Sequence, residues 1–203
     1  MIICMSDLIC VTNRGLCPGN QEDFLKRVED IAQCAPAAVL LREKDLTPEA
    51  YQALAQQVLA ICGRYGVRCI LHSFADAAIR LGAEAIHLPM SLLRGMSEAQ
   101  KAHFAAIGAS CHSLEEAVQA QALGCTYLTA GHIFATGCKP GVSPRGLDFL
   151  RDVCAGVQIP VYAIGGIGYE NIAQVRRAGA AGACVMSGPM QCENVRDYLK
   201  RLE

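Results

Sequence analysis

The sequence predicts a single α/β domain spanning residues 1–203, folded as a compact (β/α)8 TIM barrel. Three observations carry this expectation. Eight short apolar runs recur at 8–12, 37–41, 68–71, 85–88, 106–110, 127–130, 160–164 and 182–186, with helical patterns between them. Near-continuous apolar strands alternating with helices belong to a parallel sheet covered on both faces. The length of 203 residues fits one domain, and single α/β barrels commonly run to about 200–250 residues. The composition, 52% apolar and 18% charged, is that of a chain with a sizeable core rather than a disordered one. A doubly wound open sheet is the competing fold. It would show about five or six strands and a glycine fingerprint after the first, where this chain reads Thr12-Asn13-Arg14.

Taken in order, the first run ends at Thr12, Asn13 and Arg14, and the second at Arg42, Glu43, Lys44 and Asp45. Thr47, Pro48 and Glu49 supply an N-cap, a first-turn proline and an early acid. They open a helix that closes at Gly66. The third run ends at His72 and Ser73. Leu81-Gly82 ends the next helix before the fourth run, which stops at Pro89, Met90 and Ser91. After the fifth come Ser110 and His112, then Ser113 and Glu116 in capping-box spacing. That helix closes at Leu123-Gly124. Gly131 and His132 follow the sixth run, with a polar loop through Thr136, Cys138 and Lys139. Gly165 and Gly166 follow the seventh. Ala178-Gly179 ends a further helix, Ser187 and Gly188 follow the eighth run, and a last helix is expected near 193–202.

Charge and composition exclude whole classes of partner. Eighteen Lys plus Arg against 19 Asp plus Glu leave a formal charge of −1, with no Trp and 5% aromatic residues. A nucleic-acid binder needs a basic footprint and stacking platforms. The longest stretch free of Asp, Glu, Lys and Arg, at 117–138, carries two Gln, three Thr, His132 and three Gly. It reads as helix end, turn, strand and loop rather than a membrane span. The opening MIICMSDLICV lacks a basic n-region, and Asp7 interrupts its apolar run, so no targeting segment is expected. Twelve cysteines occur without any C-x-x-C pair, several inside apolar runs, such as Cys10, Cys69 and Cys184. They are expected to be small buried hydrophobes in a reducing, cytoplasmic setting rather than disulfides. No metal-ligand spacing, P-loop or G-x-S-x-G string appears, so neither a metal site nor a cofactor is expected. A homo-oligomer is left open.

In barrels of this kind the chemistry sits at the C-terminal ends of the strands. Gly165-Gly166 and Ser187-Gly188 follow the two strands beside which such barrels often hold a phosphate; backbone N–H groups approach the oxygens there and a hydroxyl donates. Tight turns are the alternative use of the same glycines. Arg42 and Lys44 suit an anionic group, or form a solvated charge run around Glu43. His132, after a buried strand, is placed to act as general base and acid near neutral pH, or as a structural histidine. His72 and His112 hold equivalent strand ends, His87 lies within the fourth run, and His103 belongs to a helix surface.

Six strings are similar to the thiamin phosphate synthase superfamily: LREKDL (41–46), GAEAIHLP (82–89), CHSLEEA (111–117), GHIFATGCKPG (131–141), IPVYAIGGI (159–167) and AGAAGACVMSG (178–188). The resemblance runs from about residue 8 to 188, and implies a (β/α)8 barrel acting on a small phosphorylated thiazole. Two branches are known. The synthase joins a pyrimidine pyrophosphate to a thiazole phosphate with Mg²⁺, using an Asn-Asp pair after the third strand, an Asp in a G-Q-x-D string after the fourth, and G-P-I-F after the sixth. This chain reads His72-Ser73, Pro89-Met90-Ser91 and Gly131-His132-Ile133-Phe134 there, with Asp76 displaced into the next helix. The histidine resembles the thiazole tautomerase (TenI) branch, although His72-Ser73 matches neither pattern. The resemblance to that branch implies an isomerase of thiamin biosynthesis with His132 as proton shuttle and no metal. Gly165, Gly166, Ser187 and Gly188 would hold the phosphate, and Arg42, Lys44 or Lys139 would face the carboxylate. Ser110 and His112 would line the pocket, and Cys138 would be a spectator thiol. The synthase, or a non-catalytic phosphate-ligand-binding homologue, is the alternative.

Overall fold

The computed structural model describes residues 7–203. The reading of the opening segment, and Cys4 with it, falls partly on residues 1–6, outside the described residues. The described residues form eight strands: β1 (Leu8–Val11), β2 (Ala38–Leu41), β3 (Cys69–His72), β4 (Ala85–Pro89), β5 (Ala106–Cys111), β6 (Tyr127–Gly131), β7 (Val161–Ile164) and β8 (Gly182–Val185). Each boundary lies within one residue of the apolar run that predicts it. All pairings are parallel, and β8 returns to β1, so the sheet closes as a barrel in sequence order. Cys10, for example, pairs with Val39 on one side and Val185 on the other.

The described residues also form ten α-helices, eight between strands and two after β8: α1 (Gln21–Gln33), α2 (Pro48–Arg64), α3 (Ala75–Arg80), α4 (Met90–Gly95), α5 (Glu98–Lys101), α6 (Leu114–Ala122), α7 (Gly146–Gly156), α8 (Ile172–Arg177), α9 (Ser187–Gln191) and α10 (Val195–Lys200). Thr47 caps α2 with its hydroxyl accepting from Ala50 N at 3.3 Å, and Pro48 follows it at the first helical position. Gly82, Gly124 and Gly179 end helices at positive φ as their positions predict. After β8 the chain makes the short helix α9 and then α10, which falls within the 193–202 stretch where the last helix is expected; Cys192 and Asn194 are extended between them. Two expectations are corrected. Ser113 caps α6 by accepting from Glu116 N, but the Glu116 carboxylate accepts from His112 N at 2.7 Å instead of from Ser113 N, so no full capping box forms. His103 is exposed in a turn after α5 rather than on a helix.

The period-2 alternation of each strand splits the core in two. Leu8, Cys10, Val39, Leu41, Leu71, Ile86 and Leu88 face outward into the helix layer, to which α1 contributes Phe24, Val28, Ile31 and Ala32. Ile9, Val11, Ala38, Leu40, Ile70, Ala85, Tyr127 and Cys184 fill the barrel interior. Burying each large apolar side chain is worth about 1.5–3 kcal/mol. Gly108 leaves the room that the Tyr127 ring occupies, since a Cβ there would lie 2.1 Å from Tyr127 Cζ. Eleven described cysteines are free thiols; six are buried, including Cys10, Cys69 and Cys184, and Cys138 is exposed.

The interior turns polar toward the C-terminal ends of the strands. His87 Nδ1 contacts the Tyr127 hydroxyl at 2.9 Å, its Nε2 contacts Ser110 Oγ at 2.8 Å, and His72 Nδ1 contacts Ser73 Oγ at 2.7 Å. The two imidazoles stack with centroids 5.9 Å apart. Burial, then the neighbouring His87, Arg42 and Lys44, holds His72 down to about 2. Burial, with Arg42, holds His87 down to about 3. Both rings are therefore neutral at physiological pH. Behind them the fully buried Tyr51 hydroxyl donates to Leu41 O and accepts from His72 N, both at 2.8 Å, tying the ends of β2 and β3 together.

Two outcomes are expected. Tyr51→Phe leaves a buried carbonyl and a buried N–H without that partner and lowers unfolding free energy by about 2 kcal/mol in urea titrations. For the imidazoles, the unfolded chain binds protons near pH 6.5 that the folded chain refuses. Their stabilising contribution is complete above pH 6.5 and falls by at most about 1.4 kcal/mol per pH unit for each ring as pH drops toward 3. Urea midpoints measured from pH 7 to 4 will show this decline, and His87→Asn will make it shallower.

Candidate active site

The C-terminal ends of the strands surround a cleft of about 260 Å³. All ten residues singled out from the sequence line it: Arg42, Lys44, Ser110, His112, His132, Lys139, Gly165, Gly166, Ser187 and Gly188. They come from the ends of β2, β5, β6, β7 and β8, which the barrel draws into one ring. Sequence reasoning had noticed His72 and Cys138 without giving them a part; both line the cleft too. Tyr198 was missed, because it reaches the cleft from α10, far from any strand end. No sequence signal distinguished it. Asp76 lies in α3 and lines a separate groove of about 390 Å³ outside the barrel mouth.

His132 is buried, and its Nε2 lies 3.2 Å from Val142 O. A carbonyl oxygen only accepts, so Nε2 carries the proton and a neutral ring keeps its lone pair on Nδ1. The Gly131–His132 peptide is cis. Ile133 N and Phe134 N donate to Ile164 O and Gly165 O at 2.9 and 3.0 Å, binding the segment after His132 to the end of β7. His112 is held in the opposite sense: its Nδ1 donates to Gly131 O at 2.7 Å, which leaves Nε2 as the free nitrogen.

Gly165 and Gly166 have φ of 101° and 67°, values a side chain disfavours. Space enforces the same choice. A Cβ on Gly165 would lie 2.2 Å from His132 Cβ, and one on Gly166 would lie 2.4 Å from Ala135 O. The backbone therefore runs bare along this wall of the cleft, beside Ser187 and Gly188.

The charge of the cleft has one sign. Arg42, Lys44 and Lys139 line it, and among the described residues no Asp or Glu does. Burial holds Arg42 below its ordinary value, and burial with Arg42 and Lys139 holds Lys44 below its own. No carboxylate pairs with these three side chains among the described residues. Glu43, between Arg42 and Lys44 in sequence, turns the other way. It accepts from Thr12 Oγ1 at 2.6 Å and from Arg14 N at 3.0 Å, and is buried. Burial raises its carboxyl, against the lowering by Thr12 and Arg14. Residues 42–45 are thus divided: buried Glu43 braces β1 to β2, Arg42 and Lys44 line the cleft, and Asp45 is exposed and pairs with Arg14.

This donor set does not fit a magnesium ion. Mg²⁺ takes carboxylate and water oxygens in octahedral geometry; the cleft offers imidazoles, hydroxyls and three cations. Among the described residues no group of three or more His, Cys, Asp and Glu is placed to hold a metal, and no helix is long and apolar enough to cross a membrane.

Comparison with known proteins agrees with the resemblance in sequence. The thiamine monophosphate synthase family profile matches residues 8–188. "Thiamine-phosphate synthase 2" of Streptococcus pneumoniae is 34% identical over 204 residues, covering 96% of this chain and 94% of that protein. "Thiamine-phosphate synthase" of Fusobacterium nucleatum is 33% identical over 180 residues, covering 88% and 86%. The structure of thiamine phosphate pyrophosphorylase from Pyrococcus furiosus superposes with a TM-score of 0.81 at 27% identity, over 96% of this chain and 92% of that one. 3-Hexulose-6-phosphate synthase, at 18% identity and a TM-score of 0.70, shares the fold alone. On this evidence the chain is a member of the thiamine monophosphate synthase family.

Proposed function

We propose that the protein is an isomerase of thiamin biosynthesis, similar to the thiazole tautomerase branch of its family, that aromatises a carboxythiazole phosphate. The observation that supports this most is the absence of any carboxylate among the residues lining a cleft that holds three cations and a properly anchored imidazole. Such a cleft favours a ligand with two anionic groups and a reaction that moves protons.

The substrate carries an exocyclic double bond and a ring proton beside its carboxylate. His132 Nδ1, left basic by the Nε2–H···O bond to Val142, takes the ring proton. The electron pair shifts through the ring to the exocyclic carbon, and the imidazolium returns its proton there. Proton count and charge are restored, and the ring gains aromaticity. Arg42, Lys44 or Lys139 binds the carboxylate and stabilises negative charge as it develops beside it. The bare backbone at Gly165 and Gly166, with Ser187 and Gly188, receives the phosphate. Ser110 is held by His87 at 2.8 Å and His112 by Gly131, so both present fixed polar atoms to the ring. Cys138, exposed in the loop after His132, has no part in this scheme.

One observation favours a second reading. The curated relatives named above carry the name thiamine-phosphate synthase, the transferase that joins a pyrimidine pyrophosphate to a thiazole phosphate. That reaction separates a pyrophosphate whose charge the cleft would have to meet with its cations alone.

The two readings are separated by giving the purified protein each substrate set. Aromatisation of the carboxythiazole phosphate, followed by ultraviolet absorbance, is expected for the wild type, with kcat lowered about 10²–10⁴-fold in His132→Ala. With the two phosphorylated halves and Mg²⁺, no thiamin phosphate is expected. Its formation would assign the synthase reaction instead, and an unchanged rate in His132→Ala would remove His132 from the chemistry.

A further inference from the structure

Tyr198 belongs to α10, which is seated on the core by Val195 and Leu199, both 4% exposed. Its side chain leans back over the β8 end of the barrel. A Cβ built on Gly188 would fall 1.9 Å from the Tyr198 hydroxyl oxygen and 2.0 Å from Cζ. The phenol therefore occupies the space that the missing side chain of Gly188 leaves free, next to Ser187. Tyr198, Ser187, Gly188 and Gly166 line the same cleft.

The hydroxyl has no hydrogen-bond partner among the described residues, although the side chain is half-buried. Phenols in such positions ordinarily find a partner. The oxygen is open to the cleft, and a ligand atom is the partner it can gain. Burial raises its pKa, ahead of smaller contributions from Cys192, Cys10 and Glu170, so the group stays a neutral donor. A neutral O–H donor beside bare backbone N–H groups and a serine hydroxyl suits a phosphate monoester, whose oxygens accept charge-assisted hydrogen bonds.

We propose that the Tyr198 hydroxyl donates to the phosphate of the ligand, so that the C-terminal helix completes a phosphate site otherwise built from the loops after β7 and β8. Tyr198 thereby becomes a specificity residue that distinguishes phosphorylated from unphosphorylated ligands. This rests on the placement of the phosphate in the proposed function.

The test is calorimetric titration of the full chain, wild type and Tyr198→Phe, with the aromatic carboxythiazole phosphate and with its unphosphorylated alcohol. Phe keeps the ring against Gly188 and removes only the hydroxyl, and equal melting temperatures will show that the fold is retained. Tyr198→Phe is expected to bind the phosphate ligand about tenfold more weakly and the alcohol unchanged. Equal affinity of both proteins for the phosphate ligand overturns the proposal. So does equal weakening toward both ligands, which marks a packing role. A wild type that does not prefer the phosphate ligand overturns the phosphate placement itself, and with it this inference.

Discussion

The feature on which the rest depends is closure of the sheet. Eight parallel strands of four to six residues pair in sequence order, and β8 pairs with β1, so no strand has a free edge. Each strand then has only two destinations for its side chains, the helix layer or the barrel interior. The interior is narrow, so it fills with small and medium side chains, and Gly108 has to yield its volume to Tyr127. Parallel closure also sends every strand's C-terminal end to the same side. Residues far apart in the chain become neighbours there, which is how the ends of β2, β5, β6, β7 and β8 form one cleft.

Electrostatics sets the character of that cleft. Beneath it lie two imidazoles that burial keeps uncharged, His72 and His87, pinned by Ser73, Tyr127 and Ser110. At its mouth stand Arg42, Lys44 and Lys139 without carboxylate partners among the described residues. Protonating the floor beneath these cations would place like charges together in a region of low dielectric. The neutral floor and the cationic rim are thus one arrangement, and under the proposed function an anionic ligand supplies the missing charge. The chain shares its family with proteins named synthases, yet its cleft lacks the oxygen ligands a hard divalent cation requires.

Much of this was legible in the sequence because strand ends are short-range features. An apolar run followed by a polar residue locates a C-terminal strand end to within one residue, and the fold class then makes every such residue a candidate. What escaped were contacts made over long sequence distances or decided by side-chain direction. Glu43 and its neighbours Arg42 and Lys44 look alike as a charge run; only the Thr12 and Arg14 contacts show that the acid turns away from the cleft while the bases face it. The Ser113 box is incomplete because the Glu116 carboxylate accepts from His112 N. Tyr198 comes from a helix beyond the last strand, and no local pattern marks it.

The sequence by itself determined the class of fold, the positions of the strands and the identities of the side chains at their ends, because apolar periodicity and helix termini are governed by neighbours a few residues away. Tertiary structure alone decided which of those side chains share a cleft, which nitrogen of His132 and of His112 stays free, which charges remain unpaired, and that a tyrosine near the C-terminus meets a glycine after β8. Those outcomes depend on three-dimensional proximity, which follows only from closing the barrel.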